Sequence, residues 1–307
     1  MDLLKEFLNQ KTKEIEASID TAVKQKIEEV NKLIEELKNN VKLPIIQFKS
    51  KDGSTKTELK HEKFNDLCKI ILSQKRSAKN ILLVGEAGAG KSKLASQVAK
   101  YAGLDFYPLS IGAQTTKSDL MGYMNATGEY ITTPVREAFE KGGILLLDEI
   151  DAGNANTLTI LNNLLSNDEI CFSDKLVKKH PAFICICTAN TYGKGATLEY
   201  MGRNRLDSAT LDRFIILNIG YDKNIEKTIC NNDKYLKIVN KLRKNAEKYA
   251  IKIIISPRAI FNGADLLEAG FSIKNVVDMC IFKGASEDVR SRLIDGIEEL
   301  QEEKKED

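Results

Sequence analysis

Apolar residues set two rhythms along this chain. Between residues 1 and 43, a stretch with neither glycine nor proline, they fall at Leu4, Leu8, Ile15, Ile19, Val23, Ile27, Val30, Ile34, Leu37 and Val41. Steps of three and four line up one face of a helix, so residues 1–43 are predicted to form one long helix. From Val23 the steps settle into a heptad seam, after a stutter between Ile15 and Val23. The positions flanking the seam, Lys24, Lys26, Asn31, Leu33, Lys38 and Asn40, offer no acidic partners, so a parallel coiled-coil homodimer is poorly specified. The helix either packs on its own body or a neighbouring subunit, or serves as a docking arm for another protein.

Pro44 ends that helix. Residues 44–79 read as a hairpin turning at Asp52-Gly53, then a helix from His61 to Arg76 with Phe64, Leu67 and Ile71 on one face. After residue 80 the second rhythm takes over, in which short apolar runs alternate with helical patterns. The runs are Ile81–Val84, Leu104–Leu109, Ile144–Leu147, Phe183–Cys187 and Phe214–Ile219. Strands separated by helices make a parallel sheet covered on both faces, so residues 80–221 are expected to form an α/β core. Residues 222–307 are helical in pattern and end in the acidic stretch "GIEELQEEKKED", expected to be frayed and solvated.

Composition narrows the function classes. The 307 residues are 42% hydrophobic and 29% charged, ordinary for a soluble globular chain. Lysine and arginine number 46 against 44 acidic residues, a formal charge of +2, which marks no dedicated nucleic-acid or membrane binder. No apolar run approaches the roughly 20 residues that span a bilayer, and the N-terminus lacks a signal-peptide core. The six cysteines show no CxxC spacing and there are two histidines, so a zinc site is not expected. Reduced thiols in the cytoplasm are the default, with Cys185 and Cys187 alternating as small apolar residues of a buried strand.

The chemistry begins in "ILLVGEAGAGKSKLA" (81–95). A strand runs into Gly85-x4-Gly90-Lys91-Ser92 and then into a helix, the context a phosphate-binding loop requires. Glycines let backbone N–H groups point inward around phosphate, and the helix adds its positive dipole end. Lys91 is expected to reach the β- and γ-phosphates, and the Ser92 hydroxyl to take a place on Mg²⁺. The run "GGILLLDEID" (142–151) supplies the complement. Asp148 and Glu149 fall at the carboxyl edge of a buried strand, where parallel sheets place ligands. Asp148 is expected to hold Mg²⁺ through its water shell and Glu149 to orient and deprotonate the attacking water. A third run, "FICICTAN", ends in Asn190, placed to hydrogen-bond the γ-phosphate or that water. Charge on the transferring phosphoryl group also calls for arginine, with Arg203, Arg205, Arg213 and Arg258 as candidates that residue chemistry alone does not rank.

Taken together, residues from about Asn80 to Leu267 resemble the AAA+ ATPases. Within them, "GGILLLDEID", "ILNNLLSND", "HPAFICICTANTYGKGA" and "YMGRNRLDSATLDRF" look most like the dynein-related, MoxR and cobaltochelatase-type group. The resemblance implies a P-loop core with a C-terminal helical lid, binding ATP and Mg²⁺. It makes Gly85–Ser92 the Walker A loop, Asp148 and Glu149 Walker B, and Asn190 sensor 1. The residues expected to touch nucleotide are then Gly85, Glu86, Ala87, Gly88, Ala89, Gly90, Lys91, Ser92 and Lys93, with Arg258 as sensor 2 in cis. Arg213 matches the arginine finger, acting on ATP held by the next subunit, while Arg203 and Arg205 are secondary candidates for contact between subunits. A finger used in trans requires a ring, usually a hexamer in this family, closed by heterologous contacts.

Relatives in this group carry an insertion after the second strand. Residues 115–139 fit it, with Asn125–Gly128 as a turn and Tyr123, Met124 and Tyr130 either facing a central pore or packing on the domain. A second hairpin, Ile170–Phe183, carries Lys175, Lys178, Lys179 and His180, either a nucleic-acid contact or a solvated loop. The GAFTGA loop of transcriptional activators and the Asn-Lys-x-Asp of small GTPases are absent from the sequence. The leading expectation is an ATP-hydrolysing ring that remodels a protein client, recruited through residues 1–43. Its rivals are a nucleic-acid motor or loader in phage or mobile-element replication or defence, and a nucleotide-gated scaffold.

Overall fold

The run Gly143–Asp148 (β7) is buried along almost its whole length, and that burial puts it inside the sheet rather than at an edge. The computed structural model describes residues 45–49, 55–73, 79–197 and 200–301. The long helix expected over residues 1–43, the Asp52-Gly53 turn and residues 302–307 of the acidic tail lie outside them.

Around β7 stand Lys79–Val84 (β3), Phe106–Ser110 (β4), Phe183–Ala189 (β10) and Ile215–Asn218 (β11), all parallel, in the order β11-β3-β10-β7-β4. Residues alternate between the two faces. Ile81 and Leu83 face a core that also takes Phe64 and Leu67 of Phe64–Leu72 (α1) and Leu94 and Val98 of Lys91–Tyr101 (α2). Leu82, Val84, Leu145 and Leu147 face the opposite core, with Phe139 of Pro134–Lys141 (α4) and Leu161 of Ala155–Ser166 (α5). Each such aliphatic side chain contributes about 1.5–3 kcal/mol when fully buried. The sheet is therefore covered on both faces as expected, except that edge strand β11 leaves Ile215 and Ile216 exposed.

Element boundaries shift where helix ends claim residues. Leu104, expected in a strand, donates its N–H to Ala99 O at 3.0 Å and closes α2, so β4 begins at Phe106. Phe214 likewise donates to Leu211 O at 3.1 Å, closing Ser208–Leu211 (α6), and β11 begins one residue later. Before the sheet, Ile45–Lys49 (β1) and Thr55–Leu59 (β2) pair as a separate two-stranded sheet, as the hairpin reading required.

Both inserts form hairpins. Lys117–Met121 (α3) leads into Tyr123–Met124 (β5) paired with Tyr130–Ile131 (β6), and Glu169–Cys171 (β8) pairs with Leu176–Lys178 (β9). The buried Arg136 guanidinium joins them. It lies 5.2 Å from the Tyr130 ring centroid and 4.7 Å from that of Phe172, and it donates to Asp174 at 2.8 Å. Tyr123 and Met124 are exposed, whereas Tyr130 turns inward and donates its hydroxyl to Met121 O at 2.8 Å. A hydrogen-bonded ring stacked on Arg136 is not available to grip a partner, so the pore-facing expectation does not hold for Tyr130. The lysines of the second hairpin are paired as well: Lys175 with Glu140 at 2.9 Å, Lys178 with Glu169 at 3.5 Å and Lys179 with Asp168 at 3.8 Å.

After β11 come Lys223–Ile229 (α7), Asp233–Lys248 (α8), Pro257–Glu268 (α9), Ile273–Val277 (α10) and Glu287–Leu293 (α11). Tyr235, Val239, Leu242, Ile260 and Val276 make up their own hydrophobic core.

Candidate nucleotide site

Three adjacent strands, β3, β10 and β7, release their chains at the same edge of the sheet, and the candidate residues gather there. Gly85 follows β3 so closely beside Ile219 that a Cβ would lie 2.0 Å from the Ile219 carbonyl oxygen, which leaves room for glycine alone. The loop ends at Gly90, whose φ of 86° is left-handed and turns the chain into α2. Lys91 then points back under the loop. Its Nζ donates to Gly85 O at 2.7 Å, Glu86 O at 3.0 Å and Asn190 Oδ1 at 2.8 Å. Burial pushes this ammonium down to about 8, although Asp148, Asp151 and Glu149 pull the other way.

The Ser92 hydroxyl lies 2.9 Å from both carboxylate oxygens of Asp148. A hydroxyl and a carboxylate so placed are the hard oxygen donors that Mg²⁺ takes, so these residues fit the expected ion. Glu149 adopts a left-handed conformation with φ 60°. That turn re-aims the chain into the short 3₁₀ segment Ile150–Ala152 and leaves the Glu149 side chain partly exposed at the sheet edge. Thr188 stabilises the junction. It is fully buried, its hydroxyl donates to Asp148, and it accepts the Glu149 N–H at 2.9 Å.

Two further residues escaped the sequence reading. Asp151 is 0% exposed, and one of its oxygens accepts the N–H groups of Asn190 at 3.1 Å and Thr191 at 3.0 Å, plus the Thr191 hydroxyl at 2.9 Å. Its position in "DEID" was visible, but the need for a buried acid there depends on β10 lying next to β7. Thr188 left no signal beyond being a polar residue in an apolar run.

The arginines separate once folded. Arg203 turns inward, donating to Glu149 at 3.1 Å and Asp151 at 3.2 Å, so in this form its fork is held by its own protomer. Arg205 is exposed beside Lys194 across an isolated bridge. Arg213 is exposed at the end of α6, donating to Ser166 Oγ at 2.6 Å and to Ala209 O. From the helical region Arg258 reaches the loop, with its Cγ 3.6 Å from where a Cβ on Gly88 would stand. The Lys93 side chain faces away from the loop: its ammonium pairs with Glu58 at 2.6 Å, because helical periodicity turns that position toward β2. Beside the loop opens a cavity of about 390 Å³, walled by residues including Leu59, His61, Gly88, Ile225, Pro257 and Phe261.

Known proteins bear on this arrangement. The family model for the AAA domain of the dynein-related subfamily matches residues 80–214. An uncharacterized protein of Staphylococcus aureus (strain NCTC 8325) is 26% identical over 214 residues, covering 66% of this chain and 77% of that one. Uncharacterized protein YojN of Bacillus subtilis (strain 168) is 27% identical over 213 residues, covering 66% of each. Among solved structures, NtrX from Brucella abortus aligns with a TM-score of 0.43 at 20% identity, over 82% of this chain and 57% of that one. No helix among the described residues is long and apolar enough to cross a membrane. By the family match, residues 80–214, which carry the phosphate loop and the strand-end acids, are similar to the AAA domain of the dynein-related subfamily.

Proposed function

We propose that the chain hydrolyses ATP as one subunit of a closed ring and spends the cycle on remodelling a protein partner. One observation carries the hydrolytic part. At one sheet edge Lys91 bonds to Asn190 and Ser92 to Asp148, and Glu149 follows Asp148 there. In this reading Lys91 leaves its carbonyl partners for the β- and γ-phosphates, and the base enters the cavity beside Gly88. Mg²⁺ held by Ser92 and Asp148 would neutralise charge on the phosphate oxygens. Glu149 takes the proton of the attacking water, Asn190 orients that water or the γ-phosphate, and Arg258 reports on the nucleotide from the lid. In this reading Arg213, exposed on the protomer surface, exchanges its bonds to Ser166 and Ala209 for a neighbouring copy's phosphates, which requires a ring.

A protein client is supported by the two hairpins, whose strands expose Tyr123, Met124, Ile131 and Leu176. Exposed apolar residues suit a protein surface, while the paired lysines of the second hairpin weigh against nucleic acid. ATP binding and turnover by two variants test the reading. Lys91→Ala should lose ATP binding; Glu149→Gln should bind ATP, slow hydrolysis about 10²–10⁴-fold and favour the assembled ring. Turnover by Glu149→Gln at the wild-type rate would remove Glu149 as the base.

A further inference from the structure

The mechanism leaves one strong contact unused. Arg203 lies between two carboxylates, donating through Nη2 to Glu149 Oε2 at 3.1 Å and through Nη1 to Asp151 Oδ1 at 3.2 Å. Only a planar fork spans two acids in this way; a lysine ammonium is a single point charge. Its side chain is 14% exposed and that of Asp151 0%, so the pair is shielded, while Glu149 at 45% stands toward solvent. Glu149 is also held from its other side, since its left-handed backbone is fixed by the N–H bond to Thr188.

The segment carrying Arg203 is seated by polar bonds. Asn204 donates its N–H to Asp151 O at 2.7 Å and its side-chain amide to Gly153 O at 2.7 Å. Next to it, Met201 is 77% exposed and Gly202 and Arg205 are exposed too, so apolar burial does not hold these positions. Polar stitching of this kind exchanges partners more readily than a packed core. The same Asp151 takes the N–H of Asn190, and the Asn190 side chain accepts from Lys91. A continuous set of bonds therefore runs from the phosphate loop to Glu149.

We infer that Arg203 is a positioning residue that latches Glu149 in the resting protomer, and that its segment shifts when the γ-phosphate draws Lys91 away from Asn190. A carboxylate must turn a lone pair on water to accept its proton, and the latch occupies one of the oxygens that would do so. The inference rests on the hydrolytic role proposed for Glu149. In Arg203→Lys the ammonium goes to the deeper, fully buried Asp151 and Glu149 is released.

Steady-state turnover at saturating ATP and Mg²⁺, alongside affinity for a fluorescent non-hydrolysable ATP analogue, tests it. A latch that the γ-phosphate opens opposes nucleotide binding, so Arg203→Lys should bind the analogue about threefold more tightly, the scale of one partly exposed ion pair, with kcat at saturating ATP not reduced. Damage to the site would weaken binding or lower turnover, so a tighter analogue complex separates a latch from a merely structural contact; unchanged or weaker analogue affinity overturns the inference. The chain has no tryptophan, so Met201→Trp places a single reporter on the same segment. Its emission should change with the ATP analogue and not with ADP, and equal spectra would also overturn the latch. A wild-type protein that binds the analogue but never turns over ATP would instead sink the hydrolytic reading itself.

Discussion

Thr188 carries more of the site than its side chain suggests. Its hydroxyl satisfies Asp148 and the Glu149 N–H together, in a position with no exposure to water. Valine has the same shape without the hydroxyl, so Thr188→Val leaves both groups short of a partner. It is expected to cost about 1–3 kcal/mol in urea denaturation and to lower ATP turnover. The strand-end positions of Asp148, Glu149 and Asn190 were legible because each lies where a largely apolar run ends, and strand ends in a parallel sheet are where ligands bind. Thr188 and Asp151 were not legible, because their value lies in hydrogen bonds across 40 positions of sequence.

Between elements, the contacts that matter are those between charged side chains on neighbouring surfaces. Glu58 on β2 meets Lys93, Gln97 and Lys100 on α2, at 2.6, 3.0 and 3.1 Å. Burial raises its carboxyl, but these three partners outweigh it and hold the group at about 2, against an ordinary 4.5. A carboxylate depressed in this way stabilises the fold fully above its ordinary value and loses that contribution as pH falls toward the folded one. Glu58→Gln should therefore be less stable by about 0.5–1 kcal/mol at neutral pH, a modest figure because the lysines face solvent. Thermal melts from pH 5 down to about 2 should show the difference between the two proteins closing. Both hairpins were expected, the first as an insertion implied by the family resemblance, whereas the bond between them was not. Arg136 reads as one more charged residue of an amphipathic helix until Tyr130, Phe172 and Asp174 arrive around it.

For the molecule as a whole, a buried acid braces the helical region beside the segment that leaves the sheet. The Glu226 side chain is 2% exposed, accepts both Arg243 Nη atoms at 2.9 and 2.7 Å, and shares that guanidinium with Ile255 O and the Tyr221 ring. Arg243→Met would strand the carboxylate, at a cost of about 3–5 kcal/mol measurable by chemical denaturation. Neither partner appears in any motif. By itself the sequence determined the α/β class, the phosphate loop and the carboxyl-edge positions of Asp148 and Asn190, because those depend on contiguous residues and on the two- and 3.6-residue periods of strand and helix. Only the tertiary structure decided that Lys93 turns to Glu58, that Tyr130 packs inward and that Arg203 faces its own Glu149. The Arg203 pairing joins residues 54 positions apart at the edge where β10 lies beside β7, which no local spacing could associate, while Lys93 and Tyr130 are placed by packing outside the central sheet, against β2 and Arg136.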